Sequence, residues 1–411
     1  MNDDTAAGLS LLNAAAVRTR SKRMLALGLD DKLPNFRVDF ARLDDAVDLV
    51  VSTTRRNYPF LDVPFHSRWR HFVVGGVSRY DTLAQETGTT DRAARARSAF
   101  DLAFVSVLLD AGAGAQWRYR DAATGESFGR SEGLALASLD MFAGGFFSFA
   151  GEDPLRADAK ALAQLDGAAL CKGLQITLAN RLVGADGRAA LLRALGNLVA
   201  ARPEIFARND TPRPGGFFDH LAAKAEGGVI AAPLILSELL QQFGPIWPSR
   251  LTLGGAPLGD CWRHPSLVTG DASSELVPLH KLSQWLAYSL IEPLQQAGFT
   301  VTDIDGLTGL AEYRNGGLFV DTGVLALRDL SDAARAHEVG SPLVVEWRAL
   351  TVALLDRLAL AVRARLNKNS AALPLAKVLQ GGSWTAGREL AFARRADGSP
   401  PIKVISDGTV F

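Results

Sequence analysis

Apolar side chains recur along most of the chain at the spacing of an amphipathic helix. Within residues 93–111, for example, Phe100, Phe104 and Leu108 lie four positions apart. Residues at this spacing share one face of a helix, so the pattern predicts a helix that packs one side against a core. The same periodicity predicts further helices over residues 131–142, 186–198, 227–243, 278–296 and 341–362.

Strand signals are scarce by comparison. The clearest lies in the C-terminal tail, where two short β-prone runs, 403–406 and 409–411, flank Asp407-Gly408. An Asp-Gly pair favours a two-residue turn, so this tail predicts a hairpin. Together the patterns predict a mainly α fold with few short strands.

The chain shows no internal repeat and no long linker. Residues 1–8 have little apolar character, and we expect them to be disordered. Residues 9–411 would then form a single helical domain, either as one body or as two lobes. If there are two lobes, we expect them to meet near 208–216, a loop with two prolines and two glycines.

The composition favours a globular protein that acts on a small molecule. The chain has 411 residues, 48% of them hydrophobic, with 44 basic and 44 acidic side chains. Because nucleic-acid binding needs clustered positive charge, this balance favours a small charged metabolite over DNA or RNA as the partner. The acidic N-terminus is unlike a secretory signal, and the most apolar run, 133–151, is interrupted by Asp140. We therefore expect no membrane span and a cytoplasmic location.

Polar residues cluster within the apolar segment 278–296. His280, Lys281, Gln284 and Tyr288 lie on one helical face, away from a stripe of leucines. Their spacing of three or four residues makes them neighbours on a helix. A helix that lines a cavity would have this pattern, and so would a surface helix with a solvated polar side.

The segment 307–317 has the densest polar group. Glu312, Tyr313, Arg314 and Asn315 are consecutive, and two glycines follow them. Glycine allows the backbone to turn or a ligand to approach closely. A binding site and a solvated helix end with an Asn-Gly turn both fit these residues.

The segment 341–362 predicts a helix that is apolar almost all round. Ser341-Pro342 favours its start, yet Glu346 and Arg348 lie within its first turns. Burying an unpaired charge costs on the order of several kcal/mol, so both side chains should be paired or bound to a ligand. A buried ion pair that fixes packing would also satisfy this requirement.

Histidine occurs in two further clusters. His66, Arg68, Arg70 and His71 could form an anion clamp or a solvated helix start. Their spacing does not suit a helical metal pair, and the 260–264 loop is a poor metal site by itself. No phosphate-binding loop, dinucleotide fingerprint, nucleophile elbow or zinc-protease motif occurs in the chain, which argues against the commonest classes that use them.

Six short motifs follow one another along the chain. They are HSRWRHF at 66–72, RSEGLA at 130–135, HKLSQW at 280–285, LTGLAEYRNGG at 307–317, VEWRAL at 345–350 and SDGTVF at 406–411. In this order they resemble the uracil-catabolism protein family of the fungal and bacterial Urc/Urg pathway, formerly described as a domain of unknown function. The likeness runs from about residue 10 to the end of the chain.

A second, more distant resemblance bears on the chemistry. It rests on segments at 281–284, 303–305, 307–308, 312–314 and 346–349. In this order they are similar to the C-terminal half of the queuosine-salvage nucleotide glycosylases, which hydrolyse the N-glycosidic bond of a nucleoside 5′-monophosphate. That family has a helical fold related to DNA glycosylases. The resemblance implies a DNA-glycosylase-like body and places the catalytic carboxylate on Glu312, where the family has aspartate.

The two resemblances together imply a hydrolase that acts on a small nucleotide. The pathway implies an intermediate of the ribosylurea type, and an N-ribosidase would release urea from ribosylurea 5′-phosphate. No cofactor or metal is expected. The implied catalytic residues are Glu312 and a proton donor among His280, Tyr288 and Tyr313. The implied substrate- and phosphate-binding residues are Lys281, Gln284, Tyr288, Arg314, Asn315, Glu346 and Arg348.

Two other functions stay open from the sequence. The chain could hydrolyse the ureido amide of the same intermediate and leave the ribosyl bond intact. It could also be a non-catalytic protein that binds a nucleotide of the pathway.

Overall fold

Helices dominate the chain, as the sequence predicted. The computed structural model describes residues 3–88, 90–114, 116–151, 155–207, 211–247 and 251–405. Its α-helices are α1 Asp3–Ser10, α2 Ala14–Leu29, α3 Leu43–Asn57, α4 Arg79–Glu86, α5 Arg92–Leu108, α6 Arg130–Ala143, α7 Ala159–Ala163, α8 Gly167–Gly173, α9 Ala185–Ala201, α10 Pro203–Phe206, α11 Phe217–Ala222, α12 Ala232–Phe243, α13 Lys281–Gln296, α14 Tyr313–Asp321, α15 Pro342–Leu366, α16 Leu375–Val378 and α17 Trp384–Arg394. The prediction of a mainly α fold is confirmed.

The strands are two or three residues long and occur in pairs. They are β1 Phe36–Val38, β2 Val73–Val74, β3 Val77–Ser78, β4 Arg118–Arg120, β5 Ser127–Gly129, β6 Val229–Ala231, β7 Thr252–Leu253, β8 Ala256–Pro257, β9 Cys261–Arg263, β10 Leu276–Pro278, β11 Thr300–Thr302, β12 Leu325–Leu327, β13 Ala336–Glu338 and β14 Lys403–Ile405. The pairs β1–β12, β2–β3, β4–β5, β7–β8 and β9–β10 are antiparallel, whereas β6–β11 and β13–β14 are parallel. Such pairs join helices and loops and do not form a layer of their own.

The chain divides into two compact units. Of the described residues, unit 1 takes those within 1–66, 249–284 and 303–405, and unit 2 takes those within 67–248 and 285–302. One division falls inside α13, between Gln284 and Trp285. That any lobes meet near 208–216 stays a prediction. Residues 208–210 are outside the described part of the chain.

Unit 1 is built around α15, which α2 and α3 pack against. The helix begins as the sequence predicted, because the Ser341 hydroxyl accepts from the Val344 amide and Pro342 occupies the first turn. It ends at Asn367, whose left-handed backbone closes the last turn. Although α15 has 25 residues, no helix in the described ranges is both long and apolar enough to cross a membrane.

The N-terminus differs from the prediction of disorder. Residues 3–8 belong to α1, which packs against the short hairpin β7–β8. The Thr5 hydroxyl donates to the Gly254 carbonyl at 2.7 Å. The two residues of this contact are 249 positions apart in sequence, so local composition could not reveal that the N-terminus is ordered as a helix.

Only the first strand of the hairpin predicted for the C-terminal tail lies among the described residues. Strand β14 pairs in parallel with β13, with Val404 opposite His337. Residues 406–411, which include the predicted Asp-Gly turn, lie outside the described residues. The strand at 403–405 is therefore confirmed, and its partner is a distant strand.

Unit 2 contains the long buried helix α5, which packs against α6. Phe104 of α5 packs edge-on against Phe217 and lies 4.7 Å from Phe243 between ring centroids. The fully buried Arg188 donates to the carbonyls of Leu109, Ala111 and Gly112 just beyond the helix end. This arginine gives hydrogen-bond donors to the buried backbone that follows α5.

Candidate active site around Glu312

Glu312 lies at the start of α14, where its carboxylate caps the helix. One carboxylate oxygen accepts from the Arg314 amide and the other from the Asn315 amide, both at 2.6 Å. The side chain is buried, and burial raises the pKa of Glu312 above its ordinary value. The two amides and the charges of Lys281 and Arg314 oppose that rise in pKa. The result is a rigid carboxylate beside positive charge.

This position is unlike the solvated helix end that the sequence left open. Asn315, Gly316 and Gly317 are buried within the first turns of α14 and form no turn of their own. The indole of Trp347 donates to the Gly316 carbonyl at 3.1 Å, and a Cβ at Gly316 would meet the same indole at 2.8 Å. Glycine is therefore required here for close packing against α15.

A buried ion pair fixes the backbone that leads into Glu312. Arg348 binds Asp260 through two hydrogen bonds of 2.8 Å, and its Nε donates to the Ala311 carbonyl at 3.3 Å. Burial alone would raise the pKa of Asp260, but the Arg348 guanidinium and its hydrogen bonds lower that pKa to about 2. The pair thus ties the 260 loop to the residue before Glu312.

Asp260 also organises the start of α13. Its carboxylate accepts from the Lys281 amide at 2.9 Å and from the Trp262 indole at 2.7 Å. Its backbone carbonyl accepts from the amides of Leu279 and His280. These contacts hold His280 and Lys281 in place at the beginning of the helix.

His280 is buried and lies in the left-handed backbone region, with φ of 48°. Its Nε2 lies 3.0 Å from the Leu11 carbonyl, which can only accept, so Nε2 carries the proton. Burial lowers the pKa of His280, which favours the neutral ring. Its Nδ1 has no hydrogen-bond partner among the described residues. In this position Nδ1 of the neutral ring can accept a hydrogen bond. The one ring proton, on Nε2, is already donated to the Leu11 carbonyl.

Asn315 is buried beside Glu312 and is held by an unusual helical turn. Residues 379–383 form a π-helix, a conformation often found at functional sites. Ser383 within it donates to Asn315 Oδ1 at 2.9 Å. The amide nitrogen Nδ2 has no hydrogen-bond partner among the described residues. Asn315 therefore presents a buried donor one turn from the Glu312 carboxylate.

Arg314 and Tyr313 occupy the first turn of α14. The guanidinium of Arg314 lies 5.0 Å from the centre of the Tyr313 ring and donates to the Gly398 carbonyl at 2.9 Å. Arg314 is buried, whereas Tyr313 is half-buried. The structure thus places both predicted residues directly beside Glu312.

Gln284 and Tyr288 are both fully buried in α13. The Gln284 amide donates to the Thr308 hydroxyl at 2.5 Å and accepts from the Thr308 backbone at 3.0 Å. Gln284 therefore positions the loop that precedes Glu312. Tyr288 belongs to unit 2, whereas Gln284 belongs to unit 1.

Glu346 and Arg348 are buried as predicted, but they do not pair with each other. The Glu346 carboxylate accepts from the Phe36 amide at 2.8 Å and from the Asn35 side chain at 2.8 Å, and lies 3.2 Å from His264. Residues two apart on a helix point to nearly opposite sides, so the Arg348 side chain that binds Asp260 does not reach Glu346. Glu346 binds the start of β1, and it forms no ion pair with Arg348.

Three contributors to this region escaped the sequence analysis. The sequence marks the 260–264 loop only as a poor metal site, but its Asp260 and His264 are the partners of the buried Arg348 and Glu346. The Ala311 carbonyl and Ser383 carry no chemical signature in a sequence. Among the described residues, no group of three or more His, Cys, Asp or Glu could hold a metal ion.

Comparison with protein families decides where the chain belongs. Residues 10–411 match the family described as "Protein of unknown function (DUF1688)". The chain belongs to this family. It is 40% identical over 419 aligned residues to "Protein urg3" of Schizosaccharomyces pombe, with all of both chains covered. It is 37% identical over 409 residues to "Uracil catabolism protein 4" of Lachancea kluyveri, with 92% of each chain covered.

These relatives confirm the resemblance to the uracil-catabolism family. The DUF1688 match begins at residue 10, as the motifs predicted. The likeness to queuosine-salvage glycosylases stays a prediction. So do the catalytic roles that this likeness implied for Glu312 and its neighbours.

Proposed function

We propose that this DUF1688 protein acts in uracil catabolism by hydrolysing the ribosyl–nitrogen bond of ribosylurea 5′-phosphate. The pathway rests on the name of the Lachancea kluyveri relative. The observation that carries the chemistry is the Glu312 carboxylate, buried and held by two backbone amides at the start of α14. A fixed anion in a buried position suits a reaction that develops positive charge.

In the proposed reaction, the C1′–nitrogen bond breaks and its electron pair leaves with the nitrogen. Positive charge then develops on C1′ and the ring oxygen of the ribose, as in other glycoside chemistry. Glu312 stabilises this charge and orients a water whose oxygen forms the new bond to C1′. One proton of that water is lost to Glu312, and the products are ribose 5-phosphate and urea.

Urea is a poor leaving group and needs a proton on its nitrogen. Of the three candidate donors, His280 is neutral and its proton is used by the Leu11 carbonyl. Tyr313 is half-buried and adjacent to Glu312, so we assign the proton donation to Tyr313. General acids of this kind contribute about 10²–10⁴ in rate.

The remaining groups suit a phosphorylated ribose. A ribose hydroxyl both donates and accepts, which matches the acceptor on His280 and the donor on Asn315 that have no partner among the described residues. Lys281 is half-buried and its charge acts on Glu312, so it supplies a cation for the 5′-phosphate. Arg314 adds a second cation beside the same carboxylate.

The test is to incubate the purified protein with ribosylurea 5′-phosphate and measure urea and ribose 5-phosphate. Glu312→Gln should lower kcat by at least about 10²-fold while the variant still binds substrate. Glu238→Gln, which neutralises another buried glutamate, should not. Thermal unfolding of both variants shows whether any loss comes from misfolding. Because burial raises the pKa of Glu312, the acid limb of the wild-type rate should lie above pH 4.5.

Three outcomes would refute the proposal. Release of ammonia and carbon dioxide without urea would indicate a ureido-amide hydrolase. Tight binding without turnover would indicate a binding protein. Full activity of Glu312→Gln would remove the carboxylate from the mechanism, and full activity of Tyr313→Phe would remove only the assigned proton donor.

A further inference from the structure

Unit 2 buries a second polar cluster, around Arg68. Arg68 lies in the 3₁₀-helix Arg68–Phe72 and is among the largest fully buried side chains of the described residues. Its backbone amide donates to the Ser289 hydroxyl at 3.0 Å. A buried guanidinium needs acceptors for all five of its N–H groups, so its partners can be counted one by one.

Two of the three guanidinium nitrogens have partners. Nε donates to the Ser106 hydroxyl at 2.7 Å. Nη1 donates to the Asp110 carboxylate at 2.9 Å and to the Ser131 carbonyl at 3.0 Å, and lies 3.3 Å from His71 Nδ1. These contacts use three of the five N–H groups and fix the plane of the guanidinium.

The third nitrogen, Nη2, has no hydrogen-bond partner among the described residues. It carries two N–H groups on a side chain that is 0% exposed. Leaving such donors without an acceptor is costly, and buried polar groups in proteins are therefore almost always paired. Nη2 therefore has two N–H groups for an acceptor that the described residues do not supply.

The charges beside Arg68 indicate what kind of oxygen fits. Asp110 is paired with the guanidinium, and the Glu132 carboxylate also acts on it electrostatically. Two carboxylates already oppose one arginine, so a phosphate or carboxylate would bring a third negative charge into a buried place. A neutral carbonyl oxygen accepts both N–H groups without that penalty.

The imidazole ring of His71 lies beside the Arg68 guanidinium. His71 Nδ1 is 3.3 Å from Arg68 Nη1, whose two N–H groups already have acceptors. Its ring centre is 5.8 Å from that of Trp285. Flat aromatic faces suit a flat ligand, and a group with nitrogen on both sides of a carbonyl is flat.

We infer that the Arg68 cluster is a binding site for the carbonyl oxygen of a neutral, planar ureide, a group with nitrogen on both sides of C=O. Arg68 Nη2 donates to that oxygen, and Asp110, Ser106 and Ser131 hold the guanidinium in place. The site lies within unit 2 and does not depend on the reaction proposed for Glu312. It assigns to the motif at 66–72 a role that the sequence left open between an anion clamp and a helix start.

The test uses radiolabelled uracil as a soluble ureide and measures its binding to the full chain by equilibrium dialysis. Unlabelled N-methylurea should compete with it, whereas inorganic phosphate should not. Arg68→Lys keeps a positive charge beside Asp110 but removes Nη2, and should weaken uracil binding at least tenfold.

The matched control is Arg188→Lys. Arg188 is another fully buried arginine of unit 2, and each of its three nitrogens donates to a backbone carbonyl. This variant should lose stability, as judged by thermal unfolding, and keep its affinity for uracil. Glu312→Gln should also keep that affinity, which separates this site from the proposed reaction.

Three results would overturn the inference. The first is no uracil binding by the folded wild type. The second is competition by phosphate that Arg68→Lys abolishes, which would make the cluster an anion site. The third is equal affinity in wild type and a folded Arg68→Lys variant, which would leave Arg68 a purely structural residue.

Discussion

Each unit buries an arginine beside an aspartate, but only in unit 1 does every nitrogen of the guanidinium have a partner among the described residues. In unit 1, Arg348 meets Asp260 through two bonds of equal length and also reaches the Ala311 carbonyl. In unit 2, Arg68 meets Asp110 through one nitrogen and leaves Nη2 without a partner among the described residues. The first arrangement fixes a backbone, whereas the second has donors to spare for a ligand.

The difference shows why burial alone does not identify a functional charge. Arg348 and Arg68 are almost equally buried, at 1% and 0% exposure. What separates them is whether each guanidinium nitrogen has a partner: all three nitrogens of Arg348 do, whereas Nη2 of Arg68 has none among the described residues. A fully paired buried charge is a packing element, and an incompletely paired one indicates a missing acceptor.

The largest effect on stability is expected from removing only one member of the Arg348–Asp260 pair. Arg348→Met leaves the Asp260 carboxylate buried without its cation, which should lower the free energy of unfolding by about 3–5 kcal/mol. Urea unfolding followed by circular dichroism measures the loss. The exposed Arg37→Met should change stability by less than about 0.5 kcal/mol. A loss below about 1 kcal/mol for Arg348→Met would mean that the pair is not a structural anchor.

The same pair should make unit 1 sensitive to acid. The folded pKa of Asp260 is about 2, below its ordinary value of 3.8, so its stabilising effect is present above pH 4 and is lost as the pH falls towards 2. The shift corresponds to about 2 kcal/mol. In urea unfolding at several pH values, the stability advantage of the wild type over Asp260→Asn should narrow by that amount between pH 4 and pH 2. A constant difference across this range would contradict the lowered pKa.

A third prediction compares removal of both charges from each pair. Arg68→Met with Asp110→Asn should cost about 1–2 kcal/mol less in unfolding free energy than Arg348→Met with Asp260→Asn. The first double variant also removes a nitrogen, Nη2 of Arg68, that has no acceptor among the described residues, whereas every nitrogen removed by the second has a hydrogen-bond partner. Equal losses in the two double variants, measured by urea unfolding, would erase the distinction between the pairs.

The smallest effect concerns Ser106, which accepts from Arg68 Nε at 2.7 Å. Ser106→Ala removes that acceptor and should lower the free energy of unfolding by about 1 kcal/mol. If Ser106 orients the Arg68 side chain for a ligand, the variant should also weaken uracil binding. The loss of affinity should then exceed the loss that its lower stability accounts for. Unchanged uracil affinity together with the expected stability loss would show that Ser106 only packs.

Much of the helical framework could be read from the sequence, because helix formation depends on local periodicity and end signals. Residues 341–362 predicted α15 with its serine cap and proline start, and the helix extends to Leu366. Residues 93–111 predicted α5 to within three residues at its end. The segment 278–296 was predicted as one helix, but its first residues form β10 and the left-handed turn at His280.

What the sequence by itself determined is which groups could not be left exposed or alone. It required partners for Glu346 and Arg348, and it singled out Glu312 and the arginines of 66–71. Only the tertiary structure decided the partners. Arg348 pairs with Asp260, 88 residues away in sequence, and Glu346 lies against His264, 82 residues away. The local pattern of apolar residues predicts which side chains are buried. The partner of a buried charge depends on how distant segments pack, and local periodicity carries no information about that packing.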